Sequence, residues 1–284
     1  MNDYLLSFVL GIVEGLTEFL PVSSTAHLRI SEALLGVDLG SGYWKMFSVV
    51  IQLGAILCLP IYFRKRIAGF LSTFPEGARR DRTLLTHPLS LTLIAFLFTA
   101  IPSFLLKKMI DKHLESIVLM AWALIIGGVV MWVVDVRYAT GSRTTDMDQM
   151  SLGQAIWIGI CQVVSAVIPG TSRSMSTIAA GQIAGMSRTA ALEFSFFLSI
   201  PTMFVATGYE LLNALRHKGV NAEQAIHIDT HGWALLAIGF LVSFVVAYFV
   251  VAWFMAWVRK HGFVPFAVYR IVFGAAVLVW AMRR

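Results

Sequence analysis

Two glutamates, a run of hydroxyl residues and a histidine lie close together near the start of the chain. Glu14 and Glu18 are four residues apart, which places both carboxylates on one face of a helix. Pro21 is expected to end that helix about a turn later. The hydroxyl run that begins at Ser23 can cap a second helix, with His27 in its first turns. Carboxylates, hydroxyls and an imidazole at this spacing are typical of acid–base and nucleophilic catalysis.

A second polar motif, Pro-Gly-Thr-Ser-Arg-Ser, lies in the other half of the chain and has the residue types of a phosphate site. The free N–H groups and the positive dipole of a helix start bind anions. Arg173 can bind phosphate through two parallel hydrogen bonds, and Gly170 lets the backbone approach a ligand closely. The predicted phosphate-binding residues of the two helix starts are Ser23, Thr25, Gly170, Thr171, Ser172, Arg173 and Ser174.

The chemistry that these groups support is phosphoryl transfer to an enzyme side chain and then to water. Ser24 and His27 are three residues apart on one helical face, so His27 can take the proton of the Ser24 hydroxyl. We favour Ser24 as the nucleophile, and direct attack by His27 is an alternative that the sequence leaves open. Glu14 and Glu18 can hold a metal ion against the phosphates or orient a base. The predicted catalytic residues are Glu14, Glu18, Ser24, His27 and Arg173.

The elements that must position these groups are membrane helices. The chain has 284 residues, of which 58% are hydrophobic and 13% charged, and its mean hydropathy is +0.77. Ionisable side chains inside a bilayer are costly and are functional by default. The net charge of +6 at pH 7 fits basic cytoplasmic loops, because the basic residues form no stripe of the kind that binds nucleic acid. We predict an all-α polytopic membrane protein with membrane lipids, and no nucleic acid, as partners.

Six apolar segments are long enough to cross a bilayer. The predicted spans cover residues 42–63, 85–106, 116–136, 190–212, 233–257 and 264–282. Pro88 and Pro102 are expected to interrupt the second of them. The most polar stretch of the chain, residues 137–150, is the predicted linker between two halves.

The two polar motifs belong to an internal duplication. A constant offset of 148 residues pairs Gly11 with Gly159 and Pro21 with Pro169. The same offset pairs Arg173 with Thr25, and a symmetric channel would not divide its polar groups in this way. The duplication therefore favours a site that is built from two unlike halves.

The predicted repeats are residues 1–138 and 151–284, each a re-entrant helix hairpin followed by three spans. An odd number of crossings makes the second copy enter the membrane from the opposite face, so the repeats should be inverted. Irregular backbone at membrane depth is tolerated only inside protein or beside a wet cavity. We therefore expect the two hairpins to meet near the midplane, within a single membrane domain.

The polar motifs are also those of a known family. The sequences E-x-x-x-E at residues 14–18, P-V-S-S-T-x-H at residues 21–27 and P-G-T-S-R-S at residues 169–174 resemble the signature of the bacterial undecaprenyl-diphosphate phosphatases, the bacitracin-resistance family. The similarity extends over nearly the whole chain. Two departures, Ala26 and Met175, stand where the family has glycine, and they concern local backbone shape.

The resemblance implies a function, a cofactor and a location. The function is hydrolysis of undecaprenyl diphosphate to undecaprenyl phosphate and phosphate, which recycles the lipid carrier of cell-wall synthesis and confers bacitracin resistance. The implied cofactor is a divalent cation, Mg²⁺ or Ca²⁺. The implied location is the bacterial cytoplasmic (inner) membrane, with an active site that opens to the outer, periplasmic face.

Two other classes of function compete with this enzyme. A lipid-phosphate or anion transporter would use the same phosphate cradle, and inverted repeats with broken helices are common in transporters. It would have no need for Ser24 and His27 at reaction spacing. A structural scaffold leaves the duplicated polar hairpins unexplained. The polyprenyl diphosphate lipid is the expected substrate, and a homodimer is the only protein partner that we consider.

Overall fold

The computed structural model describes residues 2–37, 42–107, 116–215 and 229–283, and these parts of the chain are helical without any β-strand. The first half contains α1 (Asp3–Thr17), α2 (Ser24–Leu34), α3 (Gly42–Tyr62), α4 (Arg64–Ser72), α5 (Pro88–Leu105) and α6 (Ile117–Arg137). The second half contains a 3₁₀ turn (Met147–Gln149), α7 (Leu152–Val167), α8 (Arg173–Ile183), α9 (Arg188–Leu215), α10 (Thr230–His261) and α11 (Val264–Met282).

Six helices of the described ranges are long and apolar enough to cross a membrane, which confirms the predicted polytopic fold. They are α3, α5, α6, α9, α10 and α11. One detail of the prediction is wrong, because Pro88 does not interrupt its span. It occupies the first turn of α5, behind the capping residue His87. Proline is tolerated there because the first N–H groups of a helix have no intrahelical partner.

The two hairpins consist of shorter helices. In the first, α1 has 15 residues and α2 has 11. In the second, α7 has 16 residues and α8 has 11. None reaches the roughly 20 residues that a span needs. Each pair is joined by a turn of a few residues around a proline, Pro21 in the first hairpin and Pro169 in the second.

Each hairpin packs against a span from the other half of the chain. Helix α1 lies against α10, and α7 lies against α5. Gly11 and Gly159 make these contacts close, since a Cβ would lie 2.8 Å from the carbonyl oxygen of Gly239 in the first case and 2.4 Å from that of Ala95 in the second. This reciprocal packing is what a duplication predicts. The inversion of the second copy stays a prediction.

The predicted linker is folded onto the second half. Met147 and Met150 are fully buried, and Thr144 forms backbone hydrogen bonds with Gly185 and Ser187. The stretch is therefore packed structure with a polar surface.

Arg66 of α4 connects the linker to α9. Its guanidinium donates to Asp146 at 2.7 Å, to Glu193 at 2.9 Å and to Asp148 at 3.2 Å. Partial burial acts to raise the pKa of Asp146, but hydrogen bonds from the Asp148 N–H and from Arg66 outweigh it and lower that pKa. The segment after α3 and the linker therefore lie next to each other.

Candidate active site

The Glu18 carboxylate connects the two hairpins. Its Oε2 accepts a hydrogen bond from Ser24 Oγ at 2.5 Å, and its Oε1 accepts one from Arg173 Nη2 at 3.1 Å. Glu18 and Ser24 belong to the first hairpin, whereas Arg173 belongs to the second and lies 155 residues after Glu18. Glu18 is 6% exposed and Ser24 is 8% exposed. A short bond from a hydroxyl to a buried carboxylate polarises the hydroxyl toward its alkoxide.

Both site helices begin after a serine in the left-handed region. Ser23 has φ 73° and Ser172 has φ 72°. Each side-chain oxygen caps its helix by accepting from a backbone N–H, that of Ala26 in α2 and that of Met175 in α8. This conformation costs about 1–3 kcal/mol for a residue other than glycine, and it is concentrated at functional sites.

The two left-handed serines correct the alignment of the repeats. They are 149 residues apart, because Gly170 adds one residue to the second turn. The first helical residues are therefore Ser24 and Arg173, so Arg173 corresponds to Ser24 and not to Thr25. The hydroxyl and the guanidinium occupy equivalent positions at the two helix starts.

Two buried polar atoms beside Glu18 have no hydrogen-bond partner in the described part of the chain, Arg173 Nη1 and Glu14 Oε1. Glu14 is 1% exposed and lies within hydrogen-bonding reach of Glu18. A buried donor without an acceptor is unfavourable, and a phosphate oxygen would satisfy Arg173 Nη1. Two adjacent buried carboxylates need a proton or a cation between them. The site is thus prepared for both an anion and a positive charge.

The predicted contact between His27 and the Ser24 hydroxyl is wrong. His27 Nδ1 lies 2.8 Å from the carbonyl oxygen of Ser23, and Nε2 lies 2.7 Å from the hydroxyl of Tyr269. Because a carbonyl only accepts, Nδ1 carries the proton and donates it there. The ring also stacks on Phe273, with 4.3 Å between the ring centroids. The neighbour of the Ser24 hydroxyl is a carboxylate, because the turn after α1 brings Glu18 back to the start of α2.

The other residues of the second motif build the turn. Ser174 Oγ donates to the carbonyl oxygen of Leu20 at 3.0 Å, which joins the two hairpins, and lies 3.1 Å from Ser172 Oγ. Gly170 has φ +90°, and a Cβ there would lie 2.7 Å from the Met120 backbone. Thr171 is buried. Of the predicted phosphate ligands, Thr25 alone is on the exposed side of its helix in the described structure.

Sequence reasoning missed Arg270 and Tyr269, which both lie on α11. Arg270 is completely buried, and its Nη1 donates to the carbonyl oxygen of Pro21 at 2.9 Å. Its Nη2 donates to Thr171 at 3.0 Å. A single arginine inside an apolar span is a signal that could have identified it. Tyr269 had no such signal, because tyrosine is common near membrane surfaces.

Glu14 and Glu18 offer suitable ligand atoms for a divalent cation, but two carboxylates are too few to form a complete site. Carboxylate oxygens are the ligands that Mg²⁺ and Ca²⁺ prefer, and Mg²⁺ is often bound by one or two carboxylates together with substrate phosphates. The unpartnered Glu14 Oε1 fits this donor set. Within the described residues, no group of three or more His, Cys, Asp or Glu side chains could hold a metal ion on its own.

A helical membrane protein in which two broken hairpins present a serine, carboxylates and an arginine to one point is a candidate phosphoryl-transfer enzyme. The chain belongs to the bacitracin resistance family, because the family model described as "Bacitracin resistance protein BacA" matches residues 7–276. The predicted family is confirmed.

Relatives named undecaprenyl-diphosphatase align with nearly the whole chain. The protein of Koribacter versatilis is 71% identical over the full length of both chains. The protein of Xanthomonas oryzae pv. oryzae is 40% identical over 99% of this chain and 98% of its own. The protein of Caldanaerobacter subterraneus subsp. tengcongensis is 41% identical over 96% of this chain and 94% of its own.

Proposed function

We propose that this chain hydrolyses undecaprenyl diphosphate to undecaprenyl phosphate and inorganic phosphate, and that Ser24 is its nucleophile. Family membership and the activity in the names of its relatives support this reaction and its role in recycling the lipid carrier for cell-wall synthesis. The observation that carries the mechanism is the contact of one carboxylate, that of Glu18, with both the Ser24 hydroxyl and Arg173.

In the first step, Ser24 Oγ attacks the terminal phosphorus while its proton passes to Glu18 Oε2. The bond between that phosphorus and the bridging oxygen breaks, and undecaprenyl phosphate leaves with the bridging oxygen. Arg173 neutralises the charge of the transferred phosphoryl group, and its free Nη1 offers a second hydrogen bond to it. Glu18 therefore acts as the general base, the role that helical spacing predicts for His27.

In the second step, water attacks the phosphoserine. The bond between phosphorus and Ser24 Oγ breaks, Glu18 returns its proton to that oxygen, and phosphate is released with the water oxygen. The remaining water proton goes to solution. A divalent cation held by Glu14 and Glu18 would supply positive charge against the phosphates.

We assign His27 to holding the turn before Ser24, because its Nδ1 bonds the Ser23 carbonyl. Direct attack by His27 would require Nε2 to release the Tyr269 hydroxyl first. This arrangement favours Ser24 over His27 as the nucleophile. His27 stays close enough to affect the rate through the position of the turn.

We place the protein in the bacterial cytoplasmic membrane, with the site open to the outer face. The six apolar helices support a multi-pass membrane protein. An outer-face site is what the family resemblance implies. The inverted orientation of the repeats is part of the same proposal.

The test is phosphate release from undecaprenyl diphosphate in detergent by the purified parent and four variants. Relative to the parent, Ser24→Ala should lose at least about 10³-fold in kcat and Glu18→Gln about 10²–10⁴-fold. The double variant should be no slower than Ser24→Ala, because nucleophile and base act as a unit. His27→Ala should retain more activity than Ser24→Ala.

The covalent intermediate separates the alternatives. Rapid quenching of the parent with ³²P-labelled substrate should trap a phosphate that is stable in acid and absent from Ser24→Ala. A label that is lost in acid and persists in Ser24→Ala would identify a phosphohistidine and overturn the serine mechanism. A parent that releases no phosphate with Mg²⁺, Ca²⁺ or a chelator, while still binding the lipid, would favour the transporter.

A further inference from the structure

Arg270 is a fully buried guanidinium that contacts both hairpin turns. In the first turn it donates to the carbonyl oxygen of Pro21 through Nη1 at 2.9 Å. In the second it donates through Nη2 to Thr171 at 3.0 Å and to Gly170 at 3.2 Å. These carbonyls lie two or three residues before Ser24 and Arg173, the groups that meet at Glu18.

The same guanidinium is anchored to α6. Its Nη2 contacts the Ala123 carbonyl at 3.1 Å, and its Nε contacts that of Leu124 at 3.4 Å. Gly127 leaves the space that the guanidinium fills, since a Cβ there would lie 2.4 Å from Nη2. Helices α6 and α11 pack along their length. The arginine therefore ties both turns to a rigid pair of spans.

No carboxylate pairs with Arg270 in the described part of the chain; the guanidinium is held by carbonyl oxygens. Burying a cation without a counter-ion costs desolvation free energy, so stability alone does not account for Arg270. Ionisable residues inside a membrane are usually functional. Arginine spreads five N–H donors over a planar fork that reaches carbonyls on several sides, whereas lysine has three donors on a single nitrogen.

We propose that Arg270 is a positioning residue for the reaction, and that it fixes the separation of the two hairpin turns so that Ser24 and Arg173 face one phosphoryl group. The proposal rests on the function proposed above. Misplacement of reacting groups by about 1 Å can cost on the order of 10²-fold in rate. The loss should fall mainly on kcat, because Arg270 donates to backbone carbonyls of the turns and its replacement removes none of the groups that bind the phosphate.

The experiment compares Arg270→Lys, Arg270→Met and Gly127→Ala with the parent and with a control. The control is Ser7→Ala, which also removes a buried hydrogen bond between a side chain and a carbonyl, that of Ser7 Oγ to Leu235 at 2.6 Å, at a distance from the turns. Gly127→Ala keeps the arginine and displaces its guanidinium. Thermal unfolding in detergent gives the highest temperature at which each variant is still fully folded. Both kcat and KM are then measured below that temperature.

Arg270→Met should lose about 10²-fold or more in kcat and Arg270→Lys at least about tenfold, with KM within about threefold of the parent. Gly127→Ala should lower kcat in the same direction, and Ser7→Ala should keep the parent kcat. The proposal is overturned if folded Arg270→Lys and Gly127→Ala turn over at the parent rate. It is also overturned if KM alone rises, since Arg270 would then be a binding cation. If Arg270→Met does not fold, the other two variants decide. A parent without phosphatase activity would instead refute the proposed function.

Discussion

One terminal nitrogen of Arg173 binds Glu18, and the other can bind a phosphate oxygen. An arginine is needed at this position because it can make both contacts at once. Nη2 donates to Glu18, and Nη1 is buried without a hydrogen-bond partner among the residues that the structure describes. Arg173→Lys keeps the charge and loses the fork, so the ammonium cannot contact carboxylate and phosphate with the same geometry. We expect kcat/KM to fall by at least about 10²-fold, the loss of a charge-assisted hydrogen bond or two.

Phosphate release by Arg173→Lys, measured beside the parent at several substrate concentrations, checks this expectation. Arg143→Lys is the matched control, because Arg143 is an exposed arginine of the linker. A lysine variant of Arg173 that works at close to the parent rate would show that charge alone suffices.

The residue types of the site could be predicted from sequence, but their partners could not. The motifs named Glu18, Ser24 and Arg173, and these three do meet. Helical spacing predicts His27 as the base that accepts the proton of the Ser24 hydroxyl, because both residues lie on one face of α2. That reasoning assumes that partners belong to one helix, whereas the partner of Ser24 comes from the turn before it. Tyr269 and Arg270 lie almost 250 residues away and carried no motif.

At the level of elements, the turn of each hairpin positions the first residue of the following helix, Ser24 in α2 and Arg173 in α8. In the second turn, Gly170 cannot easily be replaced by a residue with a side chain. It combines a left-handed φ of +90° with a distance of 2.7 Å between its added Cβ and the Met120 backbone. Gly170→Ala should therefore add a steric clash of about 1–3 kcal/mol to a conformational cost of about 1–2 kcal/mol. We expect a lower melting temperature together with reduced phosphate release.

Gly185→Ala provides the control for Gly170→Ala. Gly185 is also left-handed, with φ +84°, but nothing lies within 4 Å of its added Cβ. It should show the conformational cost alone and keep its activity. Equal melting temperatures for the two variants would mean that the contact with Met120 relaxes at little cost.

The sequence is sufficient to predict that each half contains a helix hairpin, but not the number of residues in each turn. Apolar runs broken by proline were enough to indicate two half-helices in each copy. The additional residue at Gly170 shifts α8 by one position relative to α2, and a constant offset of 148 residues conceals this shift. Periodicity reports which face of a helix is apolar. It does not show where a turn directs the chain next, so the equivalence of Arg173 and Ser24 is evident only from the structure.

At the level of the whole molecule, ion pairs connect the two halves of the chain. Arg66 joins α4 to the linker and α9. Asp135 of α6 is fully buried and accepts from Arg188 at 2.6 Å and from Gln182 at 3.1 Å. Breaking a buried pair of this kind by removing one partner is strongly destabilising. These contacts join elements of both predicted repeats.

The predicted topology can be tested by labelling cysteines from outside the cell. In a background with Cys58 and Cys161 replaced by alanine, a single cysteine is introduced in place of Glu76, Arg143 or Arg283. All three positions are exposed in the structure. With the N-terminus outside, which the bias of basic residues toward the cytoplasmic loops favours, three crossings in each repeat put Glu76 and Arg143 in the cytoplasm and Arg283 outside. A membrane-impermeant maleimide should therefore label Arg283→Cys in sealed cells, and the other two only after the membrane is opened. Labelling of Arg143→Cys and Arg283→Cys from the same side of the membrane would contradict the inverted arrangement, because the second repeat would then cross the membrane an even number of times. Labelling of Glu76→Cys and Arg143→Cys alone in sealed cells would contradict the proposed orientation.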